Sequence, residues 1–189
     1  MVLLEFVPPT WWQGLGIWVL GILLPLICGF GIFMYTVWNE KHVKLGTLLL
    51  LIGVLLACLT PVMWHECYEV PSVQEKVVTV ENWQPLFGKY WGEIDGAGDL
   101  MMETTDGELF LNKESFLFNK FDTRDVFDNL KPNGTYKIKY YGWREGFRNG
   151  VPNILSIEQV IDESNATHHN IGDYMNKRSI IYDDYDDHY

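Results

Sequence analysis

Two long runs without a charge dominate this chain. Residues 11–38 and 45–64 contain no Asp, Glu, Lys, Arg or His. A bilayer core about 30 Å thick is crossed by roughly 20 apolar residues of helix, and both runs are long enough. An amphipathic helix of a soluble domain would carry a polar stripe, and neither run has one. The first run is longer than the apolar core of a cleaved signal peptide. The residues before it hold Glu5 but no Lys or Arg, whereas a signal peptide opens on a basic region. We therefore expect a short N-terminal segment 1–10, transmembrane helix one at 11–38, a tight loop at 39–44 and transmembrane helix two at 45–65.

The loop between the runs carries Lys41, His42 and Lys44. Short loops rich in Lys and Arg stay in the cytoplasm. The expected topology is a two-pass cell-membrane protein with residues 39–44 inside and the soluble part outside. Trp11, Trp12, Tyr35, Trp38, Trp64 and Tyr68 lie at the run ends, where amphipathic rings settle at headgroup level. Pro25 is expected to kink the first helix, and Gly14, Gly21, Gly29 and Gly46 to let the helices approach closely. With no ionisable group in either span, nothing marks an ion path or proton relay.

Beyond a linker at 66–74 the pattern changes. "EKVVTVENW" is rich in β-branched residues and reads as a strand, which "KYWGEI" would continue after a break at Pro85. "DLMMETTDGELFLNKESFLF" reads as two alternating runs about Asp106-Gly107, a short-hairpin signal in which both turn positions take positive φ. "DTRDVFDNL" reads as a short helix capped by Asp122 or Thr123, with Val126, Phe127 and Leu130 on one face. "TYKIKYYGW" alternates, with Tyr136, Ile138 and Tyr140 on one side. "NILSIEQVI" sets Ile154, Ser156, Glu158 and Val160 opposite Leu155, Ile157, Gln159 and Ile161. Five strands with one helix between the third and fourth is the order of an OB-type barrel. The expected fold class is a membrane-anchored α+β chain with an OB-like five-stranded β-barrel domain at 75–161; an open meander or small sandwich fits the same elements. Residues 162–189, ending "YDDYDDHY", read as an acidic, disordered tail.

Acidic residues outnumber basic ones by 25 to 14, which argues against a nucleic-acid partner, since phosphates are bound by Lys and Arg. Residues 75–161 contain no His and no Cys, the usual general base and thiol nucleophile, and no P-loop, dinucleotide or zinc spacing is present. We expect no enzyme, catalytic residues, metal site or cofactor. His65, Glu66, Cys67 and Glu69 are spaced poorly for a metal. Asn133 and Asn165 begin glycosylation triplets.

One stretch stands out in this acidic chain. "GWREGFRNGVPN" joins the last two expected strands and holds Trp143, Arg144, Phe147 and Arg148. In an OB-type barrel that loop lies at the binding rim, and Trp and Arg are frequent interface anchors. It also reads as a plain hairpin turn using Gly146, Asn149 and Gly150. The expected partners are the lipid bilayer and a protein, either a separate chain or a second copy. A sensor binding a small anion or glycan in the barrel mouth is the alternative.

Overall fold

The computed structural model describes residues 6–40, 42–144 and 150–175. The chain divides into two compact units, Met1–Ser72 and Val73–Tyr189.

The first unit is a pair of helices, α1 (Trp11–Trp38) and α2 (Val43–Ser72), each long and apolar enough to cross a bilayer. The Gln13 side chain accepts from the Thr10 amide at 2.9 Å, closing the first turn of α1. Pro25 lacks an amide, and its ring crowds the carbonyl four residues back. The helix accommodates it with a π turn at Val19–Leu23, where the Leu24 amide reaches the Val19 carbonyl. The second helix runs past the expected boundary at residue 65. A π turn at His65–Glu69 and a 3-10 turn at Val70–Ser72 extend it, so the expected linker is helical through Ser72. Local hydrogen bonds explain the extension. His65 Nδ1 lies 2.9 Å from the Glu69 carboxylate, and Ser72 Oγ donates to the Glu69 carbonyl at 2.6 Å.

The seam between α1 and α2 is built from small residues. Gly14, Gly29, Thr36, Gly46, Gly53 and Thr60 are buried, while leucines such as Leu20, Leu23, Leu51 and Leu55 are exposed. A Cβ on Gly53 would stand 2.6 Å from the Pro25 carbonyl oxygen, and one on Gly29 would stand 3.2 Å from the Leu49 carbonyl oxygen. Gly21 likewise faces Thr60, Gly46 faces Thr36, and Gly14 faces the Trp64 ring. All four expected glycines thus lie in the seam, joined by Gly53.

The second unit is a five-stranded mixed sheet with one short helix between its third and fourth strands. The strands are β1 (Gln74–Pro85), β2 (Leu100–Thr104), β3 (Leu109–Leu111), β4 (Thr135–Tyr141) and β5 (Asn153–Asp162); helix α3 spans Thr123–Asn129. Neighbours run β1–β2–β3–β5–β4, and β4 pairs again with β1. All pairings are antiparallel except β3 with β5. Strand β1 is shared: residues 74–79 pair with β4 and residues 80–85 with β2, with Glu81 left over at the changeover. That extra residue switches the inward face, so Val78 and Val80 are buried before it and Trp83 after it. Strand β5 departs from the expected alternation for the same reason. Tyr136, Ile138 and Tyr140 pair with Val160, Ile157 and Ile154, so Ile154 and Ile157 both meet the core.

Three other expectations change. "KYWGEI" forms no strand but a 3-10 turn at Trp91–Glu93. Only Gly107 takes positive φ in the β2–β3 turn. Strand β3 ends at Leu111, and residues 115–120 form a separate tight turn closed by a Ser115–Lys120 bridge.

The core is Val80, Trp83, Leu100, Met102, Phe110, Phe127, Leu130, Tyr136, Ile138 and Ile154, with the Trp83 indole donating to the Leu130 carbonyl at 3.0 Å. Val126, Phe127 and Leu130 are buried on α3, the face that their spacing predicts. The expected disordered tail is corrected over its first part. Asp162 closes β5, and the following residues cross α3 and end in helix α4 (Gly172–Met175). The His169 ring lies 4.3 Å from Phe127 and its Nε2 donates to the Phe127 carbonyl at 2.9 Å. Tyr174 sets its ring edge against Phe127. Aromatic burial holds this strap. The acidic run at 176–189 lies outside the described residues.

The glycine seam yields a paired prediction. Gly53→Ala is expected to lower the melting temperature of the full chain in detergent, because its methyl meets backbone. Gly31→Ala, with nothing within 4 Å, is expected to be neutral or to stabilise by up to about 1 kcal/mol. Thermal unfolding followed by circular dichroism checks both, and equal effects would contradict the seam.

Candidate functional site

The described part of the loop that leaves β4 brings Trp143 and Arg144 to one end of the sheet. Gly142 takes φ +90°, a left-handed conformation that glycine adopts freely, and turns the chain out of the strand. Trp143 and Arg144 follow at the rim of a depression of about 230 Å³. Phe110 and Tyr140 form its aromatic floor, with ring centroids 5.1 Å apart and edge to face. Gln74, the first residue of β1, and Glu108 complete it with an amide and a carboxylate. Two of the four expected loop residues are therefore brought together here. Phe147 and Arg148 lie outside the described residues.

Hydrogen bonds and charge order this site. The Tyr140 hydroxyl donates to Gln74 Oε1 at 3.2 Å. Burial, with the negative Glu108 nearby, pushes the Tyr140 hydroxyl above its ordinary pKa, so it remains a neutral donor. Lys76 sits 2.7 Å from Glu108 and 3.1 Å from Asp106; bonding to these two carboxylates holds its ammonium above the usual range. Asp106, bonded to the Thr104 hydroxyl and then to Lys76, is held below it. Arg144 is exposed and makes no ion pair among the described residues. The site thus offers a guanidinium, an indole, an amide and a carboxylate around an aromatic floor. That set suits recognition of side chains on another molecule. Glu108, Gln74, Phe110 and Tyr140 were not foreseen as site residues. Pairing of β1 with β4, and of β5 with both β3 and β4, brings them together, and no local motif signals it.

A buried polar node lies at the same end of the sheet. Lys120 is only 4% exposed, and its Nζ donates to Asn112 Oδ1 at 2.9 Å and to the Ile154 carbonyl. Asn153 accepts from the Lys113 amide at 2.8 Å and donates to the Lys113 carbonyl and the Tyr141 hydroxyl. Together these bonds tie the 115–120 turn to the start of β5. Burial brings the Lys120 amine down to about 8. A neutral amine has two N–H donors, matching the two acceptors present. Tyr136, fully buried with its hydroxyl donating to Glu163 at 2.8 Å, is pushed up to about 12 by burial.

Elsewhere, no three of His, Cys, Asp and Glu gather in metal-binding geometry among the described residues. The three cysteines are exposed and free. Asn133 and Asn165 are both exposed. Comparison with protein-family models, with curated proteins and with solved structures finds no match.

Lys120 gives a pH prediction. Below about pH 8 both folded and unfolded states carry its proton, and stability does not depend on it. Between about 8 and 10.5 the unfolded chain keeps the proton and the folded chain releases it, so stability rises with pH, by up to roughly 3 kcal/mol at about 1.36 per unit. Tyr136 opposes this from about 10 upward, because the unfolded phenol ionises first. Denaturant titrations of the wild type and Lys120→Met across this range are expected to show the rise in the wild type alone. Near neutral pH, Lys120→Met is expected to cost about 1–3 kcal/mol through its orphaned acceptors.

Proposed function

We propose that this chain is a two-pass membrane protein that presents a small OB-like β-barrel to a protein partner at the membrane surface. The observation that carries the reading is the convergence of Trp143 and Arg144 with Gln74, Glu108 and Tyr140 around one aromatic-floored depression. Trp and Arg dominate the energetics of protein interfaces, where a few desolvated anchors supply most of the affinity. Membrane insertion is supported by the length and apolarity of α1 and α2 and by their inside-out packing, with large apolar side chains facing outward around a small-residue seam. The barrel reading is supported by the circuit of strand pairings and by the position of α3 between β3 and β4. In OB folds the β2–β3 face and the β4–β5 loop form the binding side, and here β3 and that loop line the depression.

The alternative, a small anion or glycan sensor, has weaker support. Sites that enclose small ligands run to roughly 300–1,000 Å³, larger than this depression. The Glu108 carboxylate on its wall also repels an anion drawn by Arg144. We read Lys41, His42 and Lys44 as the cytoplasmic turn and the β unit as external.

Two experiments test the reading. The full-length protein is purified from its native membrane with and without Arg144→Ala and Arg148→Ala. Loss of one interface anchor costs about 2 kcal/mol or more, roughly a 30-fold weaker affinity, so the partner is expected to be lost from the double variant while the fold survives. An undiminished partner would sink the loop assignment. For sidedness, protease added to intact cells is expected to remove the β unit; protection of the unit would reverse the topology.

A further inference from the structure

The strap that follows β5 is held at two places, and the two respond differently to acid. Its first half is tied by Glu163, whose carboxylate accepts from Lys131 Nζ at 3.0 Å and from the Tyr136 hydroxyl at 2.8 Å. These two bonds hold the Glu163 carboxyl below its ordinary range, so it keeps its charge in mild acid. The Thr167 amide donates to the Pro132 carbonyl at 2.9 Å, a bond without a titrating group. The second half rests on His169 and on Tyr174, both packed against Phe127 of α3.

His169 is only 7% exposed. Its Nε2 lies 2.9 Å from the Phe127 carbonyl, and a carbonyl only accepts, so Nε2 carries the proton of the neutral ring. Nδ1 is then the bare nitrogen. It is buried and has no hydrogen-bond partner among the described residues. The rings of Phe127, Tyr174 and Trp83 stand around it, with centroids 4.3, 6.2 and 6.4 Å from that of His169. Aromatic faces attract a cation, but they do not replace the water that a charged N–H loses on burial. The acids that act on the ring are exposed and engaged elsewhere. Asp128 of α3 accepts from Arg124 at 2.8 Å, and Asp173 of α4 accepts from the Asn170 amide at 2.9 Å. Burial holds the His169 ring below its ordinary pKa; Asp128 and Asp173 pull the other way, and the neighbouring His168 adds to the depression. The Tyr174 phenol, pushed up by burial, stays neutral here.

We propose that His169 is an acid-released catch. When Nδ1 takes up a proton, the strap from His169 onward swings out, hinged at Glu163 and Thr167, and uncovers Phe127 and Trp83. The direction follows from linkage. Above the ordinary imidazole range, about 6.5, the ring is neutral whether the strap is closed or open, and closure does not depend on pH. Below it the open strap binds the proton that the closed strap refuses. The ratio of open to closed then rises by up to about tenfold per pH unit, until the closed state is protonated too. Release bares two aromatic side chains that are fully buried when the strap is closed. The β strands contain no histidine, so mild acid moves the strap and leaves the sheet in place.

Amide hydrogen exchange of the full chain in detergent between pH 7.5 and 5 tests this, with rates corrected for their intrinsic pH dependence so that protection reports local opening. The Asp173 and Tyr174 amides, bonded to the Asn170 and Ile171 carbonyls, are expected to lose protection by up to about tenfold per unit below pH 6.5. The amides that join β1 to β4 are expected to keep theirs. His169→Gln retains a donor for the Phe127 carbonyl but does not titrate, and its strap protection is expected to be flat across the range. Unchanged strap protection in the wild type down to pH 5 would overturn the catch. So would a parallel loss in the β1–β4 ladder, which is global unfolding, or an undiminished pH response in His169→Gln, which assigns the trigger to another group. Should that variant be open at every pH, the histidine ring signals of the wild type decide by proton magnetic resonance. Protonation of the signal missing from the variant is expected to coincide with the loss of protection, and protonation with the strap still protected would refute the catch.

Discussion

The β unit depends on one strand serving two partners. Strand β1 pairs with β4 through Thr79 and with β2 from Val80 onward, and the residue left over at Glu81 lets it change direction between them. Without that bulge, Trp83 would face away from Val78 and Val80, and the interior would lose its largest buried side chain. Extra residues increase local twist and bend a strand. β5 uses the same device, setting three of its residues against two of β4 at each step from Ile154 to Val160. The two coiled strands bring β4 back to β1. The circuit of pairings, the enclosed core and the depression at its end all follow from this bending.

The helix pair solves a different problem. Leucine against leucine gains nothing over leucine against lipid, so close helix contact in a bilayer comes from small residues that let backbones approach. The seam of Gly14, Gly21, Gly29, Gly46 and Gly53, with Thr36 and Thr60 between, has that composition. Thr36 and Thr60 donate to carbonyls of their own helices, Phe33 and Leu56, so their hydroxyls are satisfied without a partner across the seam. Shape rather than polarity joins α1 to α2.

Much of this was legible in the sequence because the signals are local. An uncharged run of helix length, the glycines within it, the alternation around Tyr136 and Ile138, and the apolar face of α3 each depend on residues a few positions apart. What was not legible depends on residues far apart or on one extra residue. The alternation read for β5 assumed a regular strand, and its bulges moved Ile157 to the same side as Ile154. The strap after Asp162 has few aliphatics and leads into the acidic ending YDDYDDHY, a composition that reads as disorder, yet His169 and Tyr174 match a gap above Phe127 that only the folded core creates. At the candidate site, Trp143 and Arg144 announce themselves as aromatic and basic residues in an acidic chain. Gln74 and Glu108 join them through pairing of strands distant in sequence, β1 with β4 and β3 with β5.

The strap also sets an order of events. Tyr174 and His169 cover Phe127, and Glu163 receives the hydroxyl of Tyr136, the largest polar side chain in the core. These residues are translated after every strand. During synthesis α1 and α2 leave the ribosome first, while β1 must wait for β4, some 60 residues later, before half of its hydrogen bonds can form. The growing β unit spends that interval as an incomplete, tethered chain with its aromatic interior uncovered. A chain halted before Tyr174 would leave Phe127 without the rings that cover it.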